Sequence, residues 1–143
     1  MTADPGRSCA VRRQTPHMTR PCPRCPWRKD VSPGEFPLER FLSLWSTSHQ
    51  VEYVTIEDIA EQPMFACHLT REGQEKACAG WLAVAGHANL RVRMDIARGS
   101  LPMHVLQPLP DWPELFDSFE EMVERQAVPL PPAGWTEALK TRR

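Results

Sequence analysis

Four cysteines in this chain are spaced as ligands of one metal centre. Cys22 and Cys25 lie two residues apart in Cys-Pro-Arg-Cys-Pro-Trp, Cys67 lies in Phe-Ala-Cys-His, and Cys78 in Ala-Cys-Ala-Gly-Trp. Two intervening residues let both thiolates reach one ion across a tight turn, and two more from the far side complete a tetrahedron. An all-thiolate set is the donor set of structural zinc and, alternatively, of a [4Fe-4S] cluster. Zinc is the first expectation. The cluster stays open because ribbons and fingers usually repeat the short pair, whereas Cys67 and Cys78 have ten residues between them. Cysteine followed by proline also recurs in cluster motifs. Burial alone would account for Cys67 and Cys78, since free cysteine behaves as a small hydrophobe. It does not account for Cys22 and Cys25, set among proline and arginine. Cys9 stands in a weakly patterned arm and is a poor ligand candidate.

Other residues group around this set. His68 is the rival for the fourth ligand position, or a donor behind Cys67, because adjacent residues point differently and seldom bind one ion together. Trp27 and Trp81 are expected to wall the site from solvent. Arg24, Arg28 and Lys29 surround the proline-rich loop and are the candidate phosphate contacts. His87 lies too far along its helix from Cys78 to join the ligands.

These residues need elements to hold them. Residues 1–19 lack periodicity and are expected to form a disordered basic arm. The ordered metal-binding domain should span 20–128, and 129–143 should form a proline-rich C-terminal tail. A helix is predicted from Pro37 to residue 44 or 45, with Leu38, Phe41, Leu42 and Trp45 on one face. Thr55 and Asp58 form a box-like cap for a short helical turn ended by Gln62-Pro63. Residues 74–88 read as a central buried helix, Leu90 to Arg98 as a helix or strand before Gly99, and 111–126 as an amphipathic helix capped by Asp111 with Glu114. Trp135 and Leu139 could clip the tail to the body. Extended pieces near 51–54 and 64–67 are candidates for pairing. The expected fold is a small single domain, helix-rich α+β or mostly α, stapled by the four-cysteine metal site.

The chain has 143 residues and a net charge of -1, with 15 prolines and 5 cysteines. That length permits one core. No apolar run approaches the roughly 20 residues of a membrane span, and no apolar stretch follows the basic N-terminal residues as in a secretory signal. A cytoplasmic location follows as the expectation. The charges are segregated: Arg7, Arg12, Arg13, Arg20, Arg24, Arg28 and Lys29 face only Asp4 in the first 29 residues, while acids dominate 108–137. A basic arm of this kind is either solvated or meets phosphate.

The run Cys-Pro-Arg-Cys-Pro-Trp-Arg-Lys-Asp, followed by Pro-Gly-Glu-Phe, Phe-Ala-Cys-His and Cys-Ala-Gly-Trp-Leu, resembles a family of small uncharacterised proteins from actinobacteria and their phages. The likeness covers 21–82 and implies Cys22, Cys25, Cys67 and Cys78 as the shared cysteines. It implies no activity. Three functions compete. The first is a metal-binding accessory or regulatory protein with a weak nucleic-acid or protein partner. The second is a thiol redox enzyme using Cys22 and Cys25, with Arg24 and Arg28 favouring thiolate. The third is a structural, zinc-stapled interaction protein. A thioredoxin-like site should follow a strand and open a helix, and neither is readable here, so a non-enzyme is the stronger expectation.

Overall fold

The computed structural model describes residues 13–49, 52 and 55–140. Local signals explain part of it. Pro37, extended at φ -62° and ψ 136°, precedes α1 (Leu38–Ser43), and a 3₁₀ turn follows at Trp45–Thr47. Thr55 caps α2 (Ile56–Ala60) with a full capping box: Asp58 N donates to Thr55 Oγ1 at 3.1 Å and Thr55 N to the Asp58 carboxylate at 3.2 Å. Asn89 settles the helix-or-strand ambiguity after it. Its side chain accepts from Val92 N at 3.0 Å and so starts α4 (Leu90–Ala97), which ends just before Gly99 at φ 79°.

Long-range pairing explains the rest, and it shortens two helices. The central helix is α3 (Ala79–Ala85), not 74–88. Residues ahead of it are extended, with Cys67 N donating to Lys76 O at 2.7 Å and Cys78 N to Phe65 O at 2.8 Å. Alanine-rich propensity amounts to tenths of a kcal/mol per residue and yields to these pairings. The amphipathic helix is α5 (Phe119–Gln126), capped by Ser118, whose hydroxyl accepts from Glu121 N at 3.1 Å. The Asp111 cap is not used. Phe116 N instead donates to Trp27 O at 3.0 Å and Lys29 N to Glu114 O at 3.0 Å, so 114–116 runs beside the proline loop as an extended segment.

The fold is helix-rich α+β. Among the described residues its sheet is one short parallel pair, β1 (Phe36–Pro37) with β2 (Ala127–Val128), which hydropathy did not anticipate. The expected pairing of 51–54 with 64–67 falls partly on 51, 53 and 54, outside the described residues. Ala66 bridges Ala77 instead.

The expected arm also ends earlier than residue 19. Met18 N donates to Ala77 O and Ala77 N to Pro16 O, at 2.9 and 3.0 Å, while Thr15 N reaches Ser100 O at 2.9 Å. Residues 15–18 therefore lie along 77 as a further extended segment. The arm reading for 1–12 falls outside the described residues. At the other end α6 (Trp135–Lys140) returns onto the body. Trp135 is buried, edge-on to Trp45 at 5.9 Å, and its indole N–H donates to the Glu124 carboxylate at 3.1 Å.

One core gathers Trp27, Phe41, Trp81, Leu82, Val92, Phe119, Met122 and Val123, each at most 2% exposed. Among the described residues no helix is long and apolar enough to cross a membrane.

Candidate metal centre

The proline loop turns tightly because Cys25 N donates to Cys22 O and Arg28 N to Cys25 O, both at 3.1 Å. These turns send both cysteine side chains inward. Cys67 comes from the segment paired with 76–78, and Cys78 stands at the N-terminus of α3, where no side chain caps the helix. Three separate stretches thus deliver four thiols to one place, and all four are buried and unbridged. Cys25 Sγ lies 3.5 Å from Cys78 Sγ, and Cys22 is in side-chain contact with Cys67. Among the described residues no group of three or more His, Cys, Asp or Glu stands in a preassembled metal geometry. The sulfurs meet as two neighbouring pairs.

Main-chain amides line this sulfur cluster. Arg24 N points to Cys22, Trp27 N and Gly80 N to Cys25, and Trp81 N to Cys78. Such donors favour the thiolate form that metals require. A hydrogen bond from Cys78 holds the Cys25 thiol below its usual range despite burial, with help from those amides and the Arg28 charge. The same bond, reinforced by burial, drives Cys78 well above that range. Burial pushes Cys22 up to about 11.

Trp27 and Trp81 are both fully buried, and Trp27 meets Phe65 edge-on at 5.6 Å. His68 is turned away: its residue is exposed and its ring lies edge-on to Phe36 at 5.6 Å. The three basic residues of the loop each have an acidic partner. Arg24 meets Glu35 at 3.0 Å, Arg28 forks onto Asp30 at 2.7 and 2.8 Å, and Lys29 meets Glu114 at 3.0 Å.

Two further residues position the site and escaped the sequence reading. Gly80 is one: a Cβ there would stand 2.9 Å from Trp27 Cβ and 3.0 Å from Cys25 Sγ, so only glycine lets α3 approach the loop. Its place beside Cys78 in Cys-Ala-Gly-Trp was the available signal. Gln126 is the other. It is 1% exposed and its amide donates to Pro26 O at 3.1 Å and Arg28 O at 3.2 Å, holding the loop from α5. A lone polar residue on the apolar stripe of a helix was its only trace.

No curated protein and no solved structure matches the chain. A family model does match, over residues 17–143, which takes in the acidic helix and tail beyond the motif-bearing stretch, and the chain belongs to that family, the family of unknown function DUF6283.

Proposed function

We propose that Cys22, Cys25, Cys67 and Cys78 hold one zinc ion that staples the proline loop to α3, making this a metal-stabilised accessory or interaction protein. The observation that supports it most is the convergence of four buried, unbridged thiols from three stretches, two of them 3.5 Å apart. Four zinc–sulfur bonds of about 2.3 Å place neighbouring sulfurs about 3.8 Å apart, close to the 3.5 Å between Cys25 and Cys78. A cubane binds each cysteine to a different iron and would need the sulfurs spread well apart. Cys25 and Cys78, with their sulfurs 3.5 Å apart, stand far closer than that.

The donor set fits the ion: four thiols, amide N–H groups aimed at three of them, and two tryptophans excluding water. Zinc bound there supplies cross-linking and no redox chemistry. Burial also speaks against thiol exchange, because Cys25 is 0% and Cys22 6% exposed, which leaves an incoming disulfide little access to either sulfur. A reducing cytoplasm suits this reading.

Protein prepared without oxygen should contain about one zinc per chain and no acid-labile sulfide. Cys25→Ala and Cys78→Ala should each abolish binding and unfold the loop, because structural zinc is worth roughly 10 to 16 kcal/mol apparent in small domains. About four irons with matching sulfide would assign the cluster instead, and a folded, metal-free chain would end the proposal.

A further inference from the structure

The loop cations are engaged, but a second group of arginines is not. Between the extended segment at 15–16 and α4 lies a cavity of about 610 Å³, closed on one side by Ala60 at the end of α2. Arg13, Arg91 and Arg98 line it. Arg91 stands in the first turn of α4 and Arg98 caps its end seven residues on, about two turns along, with Met94 between them. None of the three forms an ion pair with a described residue, whereas Arg24, Arg28 and Lys29 all do.

The walls of the cavity are held in place. Thr15 Oγ1 donates to the Asp95 carboxylate at 2.8 Å, tying the extended segment to α4, and Asp95 is 9% exposed. Arg91 donates to Gln62 O at 3.1 Å, which fixes its guanidinium and leaves further N–H groups free. Asp95 is the one acid among the lining residues, against three arginines, and its carboxylate already accepts from Thr15, so positive charge is crowded there in excess. An anion is the group that relieves this crowding, and the planar fork of arginine matches phosphate oxygens bidentately.

We propose that this cavity binds a small phosphorylated organic molecule, its phosphate held by Arg91 and Arg98 with Arg13 at the rim and its organic part against Met94 and Ala60. The volume falls in the range of small-molecule sites, roughly 300 to 1,000 Å³. An extended polyanion fits less well, because α2, whose Ala60 closes the cavity, carries exposed Glu57 and Asp58, with exposed Glu61 directly after it, and this acidic stretch would repel a strand running past. This site is independent of the metal centre.

Calorimetric titration of the full chain at low salt, with pyrophosphate and with ADP, tests it. Both should bind one to one, ADP the more tightly. Arg91→Gln with Arg98→Gln should weaken both by at least about tenfold, and Arg24→Gln should leave both unchanged. Should the double variant fail to fold, Arg98→Gln alone, at an exposed position beyond α4, should still weaken both several-fold. Four results would overturn the proposal: no heat with either probe at millimolar concentration, pyrophosphate binding as tightly as ADP, full affinity in the arginine variants, or a single-stranded oligonucleotide binding more tightly than ADP through the same arginines.

Discussion

Helices α3 and α5 are nearly equal in length and hold their ends in opposite ways. The start of α5 is secured locally, by the Ser118 hydroxyl and by Glu121, whose carboxylate accepts from Asp117 N at 3.2 Å. Its buried residues are Phe119, Met122, Val123 and Gln126, and its acids are half-buried or exposed. The start of α3 has no side-chain cap, and five of its seven residues are buried. What holds it is distant in sequence: Cys25 against Cys78, and the side chains of Trp27 and Cys25 against Gly80. A helix can therefore be fixed by its own first turn or by the site it carries, and only the first kind survives loss of that site.

Substitutions that separate the two modes sharpen this contrast. Gly80→Ala should have the largest effect, roughly 3 kcal/mol, the upper end for overpacking, because its methyl meets Trp27 Cβ and Cys25 Sγ rather than a flexible tip. Thermal unfolding and zinc content should fall together. A loss of stability with metal content unchanged would uncouple α3 from the centre. Gln126→Ala should cost about 2 kcal/mol, because two loop carbonyls lose their donor. Hydrogen exchange should speed up in 22–30 while the interior of α5 stays protected. Ser118→Ala should cost only about 1 kcal/mol, as for other N-caps, with exchange rising at the first turn of α5 and zinc content unaffected. Metal loss in that variant would show that α5 also depends on the centre.

The same distinction decides what was legible in the sequence. The Thr55 box and the Asn89 boundary were readable because every partner lies within four residues. Cys22 and Cys25 stood out because burial does not explain thiols among prolines and arginines, whereas Cys67 and Cys78 carry no such mark. The start of α3 was misread because Ala77 is held by Pro16, Met18 and Ala66, with no local mark of that pairing. The start of α5 was misread because two similar caps occur in series, Asp111 before Glu114 and Ser118 before Glu121. The deciding term is the pairing of Phe116 with Trp27 across the fold. Gln126 clamps carbonyls 100 and 98 positions away, beyond any window of periodicity.

Those separations also set a timetable for the newborn chain. Cys25 emerges from the ribosome 53 residues ahead of Cys78, which at roughly 5 to 20 residues per second is an interval of about 3 to 10 s. Gln126, 100 residues behind Pro26, arrives later still. Through that interval the Cys-Pro-Arg-Cys turn can form from its own backbone, but it has no wall, no second pair of sulfurs and no clamp. The loop thus leaves the ribosome well before its partners, and its thiols meet solvent before they meet Cys67 and Cys78.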